Sequence, residues 1–228
     1  MIVVGLVFTG LMSPDAAAKD TRRVVYVRNE STIISNTAIR RALPAFQDAV
    51  VKDFAPVWDV NVRLVFIGRN MPAKSAWRIT IQNSPACIGC YGYHEYVDGI
   101  VRGFVGTDTF SGNWQVTFTH ELFEIMVDPY VSPDGAGVRG VLVGTDWYVQ
   151  ETADPVEAER FAYLRRGIKI SDFVTPEWFD ATSDGPWDFK RHTTRPLQIL
   201  FGGYQIVWRA GTWVWLDPSG LAHTGPTP

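Results

Sequence analysis

The apolar positions of this chain change period several times, and each period marks an element. RRVVYVR (22–28) is rich in β-branched residues and predicts a strand. Ile39, Leu43, Phe46, Val50 and Phe54 recur at steps of three and four, which lays one stripe along a helix of about five turns capped by Ser35 or Asn36. Pro44 falls inside that stripe and predicts a kink or a later start. VRLVFIG (62–68) is nearly continuous and suits a buried strand, whereas WRITIQN (77–83) alternates as a half-exposed strand does. GIVRGFVG (99–106) predicts another strand. Asn113 or Gly112 then precedes a helix over roughly 114–127, which stops at Asp128 because a residue before proline avoids the helical region.

Beyond Pro129 the pattern breaks up. Pro133, Asp134, Gly135 and Gly137 predict a turn-rich loop, and GVLVG a short strand. VQETADPVEAERFAYL mixes acids with apolar residues around Pro155, and IKISDFVTPEWF reads as short strands and loops. GGYQIVWRAGTWVWLD predicts a hairpin turning near Ala210-Gly211, and the tail after Asp217 a frayed end. No internal repeat or low-complexity tract is present. The fold class expected is α+β: a mixed sheet with a backing helix and a second, chemistry-bearing helix over 21–130, then a loop- and β-rich C-terminal region over 131–228.

Composition adds limits. With 46% hydrophobic and 20% charged residues the chain can bury an ordinary core, and a net charge of −3 argues against nucleic acid as a partner. Five of the nine tryptophans (Trp178, Trp187, Trp208, Trp213, Trp215) fall in the last quarter, where a packed β unit is favoured over a binding face. Residues 1–20 carry an apolar run followed by Ala16-Ala17-Ala18, the look of a signal peptide. No Lys or Arg precedes the run, so an ordinary N-terminal extension weighs equally; secretion or virion association is slightly favoured. The run is too short to span a bilayer as a helix. Asn29-Glu30-Ser31 fits a glycosylation sequon, a short match that matters only for a eukaryotic secreted protein.

Cys87 and Cys90, the only cysteines, cannot make a four-thiolate zinc site. Pro85, Gly89 and Gly92 around them predict a loop pinned by a local disulfide, with free thiols second; His94 and Glu95 nearby keep a small Cys/His metal site in view.

The densest chemistry lies in THELFEIMVDP (119–129). His120 and Glu121 begin the H-E-x-x-H pattern of zinc-protease helices, but the fifth position is Glu124. Residues four apart share a helix face, so His120 and Glu124 can reach one ion, and glutamate is an accepted zinc ligand. Its extra charge makes the site harder and opens it to other divalent ions. Glu121 stands where such enzymes keep the general base toward a metal-activated water. Histidine is scarce, so a third ligand is sought in QETADPVE, where Glu151, Asp154 and Glu157 recur every third residue. The bland alternative is solvated acids at a helix start, and for Asp128 a plain helix stop.

Several spaced segments together resemble a group of uncharacterised zincin-like metallopeptidases from bacteria and their phages. The segments are Tyr93-His94, His120 to Pro129, Asp154 to Glu157, Phe173 to Phe179 and Gly202 to Tyr204. A second similarity, to chains carrying H-E-L-x-E followed by E-x-x-D, covers His120 to Glu124 and Glu151 to Asp154. The resemblance implies a zincin fold, a metal helix and an edge strand that receives extended substrate. By analogy with the ligand helix of glutamate-type zincins it favours Glu151 as third ligand with Asp154 supporting. The function expected is a zinc metallopeptidase acting on peptide or protein. The alternatives are a non-catalytic structural or binding protein on the same scaffold, such as a phage virion or tail component, and a calcium-stabilised domain.

Overall fold

A computed structural model describes residues 22–72, 76–87, 89–108, 113–131 and 137–225. The expected N-terminal extension (1–20) and most of the turn-rich loop at 133–137 lie outside the described residues. β1 (Arg23–Asn29) is followed by α1 (Asn36–Ala49), a π-helical turn at Val50–Phe54 and the short α2 (Ala55–Trp58). Then come β2 (Val62–Gly68), β3 (Trp77–Gln82), β4 (Gly92–Val97), β5 (Ile100–Gly106) and α3 (Trp114–Val127). The five strands form one mixed sheet in the order β2-β1-β3-β5-β4, parallel except for the edge strand β4.

Ser35 caps α1 by accepting from the Ala38 amide, and the helix runs unbroken through Pro44. The irregularity expected at the proline comes instead at the π turn, where an extra residue turns Asp53 inward. There Tyr163 Oη and Arg165 Nε each donate to Asp53 at 3.0 Å. β3 is more covered than its alternation predicts, because it is a central parallel strand: Thr80 is buried as well as Ile79 and Ile81.

β4 is a correction, since its residues read as part of the cysteine loop. GYHEYV hides its strand character because glycine, histidine and glutamate occupy its positions, and every residue is half-buried. Cys87 and Cys90 are joined in a disulfide in the β3–β4 connection.

The C-terminal region forms a second, antiparallel sheet, β12-β11-β10-β7-β6, from β6 (Gly140–Val143), β7 (Asp146–Val149), β10 (Gln205–Arg209), β11 (Thr212–Leu216) and β12 (Ala222–His223). Between them β8 (Tyr163–Arg165) and β9 (Ile168–Ile170) make a small hairpin. The β10–β11 turn has positive φ at both Ala210 and Gly211, which matches the twist of the two strands. Within the tail expected to fray, Ala222–His223 form a strand: β12 pairs with β11, His223 stacks on Trp215 and its Nε2 lies 2.9 Å from Asp217 Oδ2. Segment 150–161 holds no α-helix, only 3₁₀ turns at Asp154–Val156 and Glu159–Phe161.

One hydrophobic cluster runs across both regions. Phe46 of α1 stacks on Phe118 of α3, so both helices cover the same sheet face. Phe123 of α3 stacks on Phe54 at 4.4 Å, and Phe173 of the C-terminal region meets both rings. Trp178 is fully buried, whereas Trp147 and Trp208 keep 37% and 40% of their surface exposed, so the tryptophans divide between core and surface. No helix among the described residues is long and apolar enough to cross a membrane.

Candidate metal centre

α3 starts where Asn113 accepts from the Gln115 amide at 3.0 Å, and from Val116 to Val127 almost every residue is buried. A helix surrounded by protein tolerates His120, Glu121 and Glu124 only if something compensates their polarity. Part of the compensation comes from the C-terminal region. His120 Nε2 lies 3.2 Å from Glu124 Oε2 and 3.2 Å from Asp154 Oδ1. Bonds of about 2.1 Å to a tetrahedral ion put ligand atoms about 3.4 Å apart, close to both distances from His120 Nε2, and all three atoms lie within 4.8 Å of one another. The Ala153 amide donates to Glu124 Oε1 at 3.2 Å and holds the other oxygen in place.

His94 enters from β4. Its Nδ1 lies 3.4 Å from Glu121 Oε2 and 3.8 Å from Glu124 Oε2; its Nε2 lies 3.1 Å from the Asp128 carbonyl and 3.8 Å from Glu151 Oε1. Gly92 makes this approach feasible, because a Cβ there would stand 2.7 Å from Glu121 Oε1 and 2.8 Å from the Phe104 carbonyl. Gly203 does the same for the Asp154 turn: a Cβ would lie 2.5 Å from the Asp154 carbonyl, which accepts from the Tyr204 amide.

The centre therefore gathers six carboxylates (Glu121, Glu124, Asp128, Glu151, Asp154, Glu157) around two imidazoles. Burial pushes Glu124 up to about 7, with His120 opposing, and Glu157 up to about 8. Burial also raises Asp128 to about 6 and Glu151 well above the usual carboxylate range. Burial works against a charged His94, but Glu151, Glu121 and Glu124 outweigh it and carry its pKa up to about 10. Even so, Glu121 Oε2, Asp128 Oδ2 and Glu151 Oε2 are buried with no hydrogen-bond donor. An excess of buried acids with orphaned oxygens, at ligand spacing from histidine nitrogens, is the donor set a divalent cation satisfies.

Of the residues singled out in the sequence, His120, Glu124 and Asp154 converge on one point, and Glu121, His94 and Glu151 stand beside it. Glu151 faces His94 rather than His120, so the analogy that favours Glu151 over Asp154 as third ligand is not matched by the placement. Cys87 and Cys90 contribute no atom to the cluster. Asp128, read as a helix stop, is a buried member whose Oδ1 accepts from the Arg139 amide at 2.8 Å. Tyr204 was visible only as part of the G-G-Y segment. Burial, Asp154 and Glu157 hold its phenol far above its ordinary pKa, as a neutral O–H.

A second cluster, Asp172, Asp188 and His192, shows the contrast. Asp172 accepts from the Phe173 and Lys190 amides and sits 2.9 Å from His192 Nδ1. Asp188 accepts from the His192 and Thr193 amides and the Thr193 hydroxyl. All four carboxylate oxygens have partners, so this cluster is a latch for its loop. Among protein families, curated proteins and solved structures, none matches the chain.

Proposed function

We propose that the chain is a metal-dependent hydrolase of zincin type, most simply a zinc peptidase. The observation that carries the reading is the convergence of His120 Nε2, Glu124 Oε2 and Asp154 Oδ1, with Glu121 adjacent on the same helix. These three residues would hold a divalent cation, which would supply Lewis-acid activation of water and of a carbonyl. Glu121 takes the proton of the attacking water and hands it to the leaving amine. Tyr204, kept neutral, offers an O–H to developing negative charge. β4 supports an extended substrate: Tyr91 and its odd-numbered successors bond β5, which turns the backbone of Gly92 and His94 to the outer edge.

Two observations favour the second reading, a structural or binding protein with a structural ion such as calcium. The His120 side chain is only 12% exposed, and the Tyr96 amide at the outer edge of β4 is taken by the Val131 carbonyl at 2.6 Å. Elemental analysis beside a peptide-pool cleavage assay separates the two. A hydrolase carries a tightly held transition metal and loses cleavage in Glu121→Gln while keeping that metal. A protein inert in both forms, with metal loss causing only unfolding, is the structural one.

A further inference from the structure

We propose that the centre holds a second divalent cation, bound by His94 Nδ1, Glu121 and Glu124, with Glu124 shared between the two positions. The inference rests on the metal-binding reading above and adds a second position to it.

The first ground is the hydrogen bonding of His94. A carbonyl oxygen only accepts, so the nitrogen 3.1 Å from the Asp128 carbonyl, Nε2, carries the hydrogen. Histidines that ligate metals usually donate their other N–H in this way. Nδ1 then points at Glu121 Oε2 and Glu124 Oε2, 3.4 and 3.8 Å away. Two carboxylates facing Nδ1 call for a positive charge between them, which the ring's own proton supplies in the metal-free protein and a metal ion can replace.

The second ground is the state of the Glu121 oxygen at that contact. Glu121 Oε2, on a residue 3% exposed, has no hydrogen-bond donor and is the oxygen aimed at Nδ1. The contrast with the Asp172 latch, where every oxygen is bonded, marks this as a position built for something else. The third ground is partition. The histidines fall into two separate groups, His94–Glu121–Glu124 and His120–Glu124–Asp154, each with ligand atoms within 4.8 Å of one another. Glu124 is the member common to both, and a carboxylate is the usual bridge between two ions about 3.5–4 Å apart.

Filling the second position turns Glu121 from a base into a ligand. An ion there would thus compete with the base role of Glu121. The second ion is bound more weakly, because it meets the charge of the first.

The test is a Mn²⁺ and Zn²⁺ titration of the full chain, with bound metal counted after rapid desalting and Mn²⁺ followed by electron paramagnetic resonance. The wild type is expected to take two ions, the second giving an exchange-coupled Mn²⁺ pair. His94→Gln should take one ion and lose the coupled signal, with thermal unfolding confirming that it is folded. A wild type that stops at one ion, lost in Asp154→Asn but unaffected by His94→Gln, overturns the second site and leaves the hydrolase reading standing. No bound ion in the wild type overturns both. The coupled signal in the wild type needs no variant, so misfolding of His94→Gln does not decide the matter.

Discussion

Asp154 Oδ1 lies 3.2 Å from His120 Nε2, while Glu151, three residues earlier, turns its carboxylate to His94 instead. Residues 151–153 precede the 3₁₀ turn that begins at Asp154 and belong to no helix, so no helical face joins Glu151 to Asp154. Asp154→Asn is therefore expected to remove the ion at His120. Glu151→Gln should weaken it by the roughly 10–100-fold typical of an outer-shell partner. Metal content after dialysis against a graded chelator checks this. Equal loss in both variants would mean that Glu151 is a ligand after all.

The acids make the metal-free protein sensitive to pH in a definite direction. Glu124, Glu157 and Asp128, raised to about 7, about 8 and about 6, hold protons in the fold that an unfolded chain has already lost. The stability these groups contribute is present below their unfolded values near 4 and is lost as pH rises through the folded ones. His94, raised to about 10, adds a loss of the same sign above its ordinary value of 6.5. Chelator-treated protein is thus expected to melt lower at pH 8 than at pH 5, and saturating cation should abolish or invert the trend. Calorimetry at both pH values with and without metal reads it directly. A metal-free Tm that rises from pH 5 to pH 8 would contradict the raised acids.

Much of this centre was legible from residue type and spacing. Helix periodicity placed His120 and Glu124 on one face, and Asn113 and Asp128-Pro129 bounded α3 correctly, because caps and proline act locally. The strand that delivers His94 was not legible: its inward positions serve a polar centre, so the alternation that announces a strand is missing. Asp128 and Tyr204 were hidden for a related reason. Each joins the cluster through contacts between distant segments, and no local pattern encodes those. The π turn escaped too, since a helical stripe from Ile39 to Phe54 looks the same with one residue inserted.

Gly203 offers a test of how rigidly the C-terminal turn is held. An added Cβ would meet the Asp154 carbonyl at 2.5 Å and the Pro155 carbonyl at 2.7 Å, both backbone atoms that cannot rotate away. Gly203→Ala is expected to cost about 1–3 kcal/mol and to displace Asp154 from His120. Denaturant unfolding and metal affinity should fall together. Lost stability with unchanged affinity would show that the Asp154 turn moves as a unit with α3.

Phe123 connects α3 to both the π turn and the C-terminal region through Phe54 and Phe173. Its removal opens a cavity at the junction of three segments, and Phe123→Ala should cost about 3–5 kcal/mol. The loss should appear in a single cooperative transition, since one cluster spans both regions. Two separated transitions in calorimetry would show that the regions unfold independently.

The Asp172–Asp188–His192 latch supplies the control for the metal centre. Asp188→Ala strips the acceptor from the His192 and Thr193 amides and the Thr193 hydroxyl. With buried donors left unpaired, the expected cost is about 3 kcal/mol or more. Burial and Asp188 together raise Asp172 to about 9, so removing Asp188 should lower that value and ease the remaining acid into its charged form. Metal content should not change, because no orphaned oxygen of this cluster awaits an ion. Denaturant midpoint and elemental analysis on the same preparation separate the effects, and a drop in bound metal would mean that the latch, not the α3 cluster, holds it.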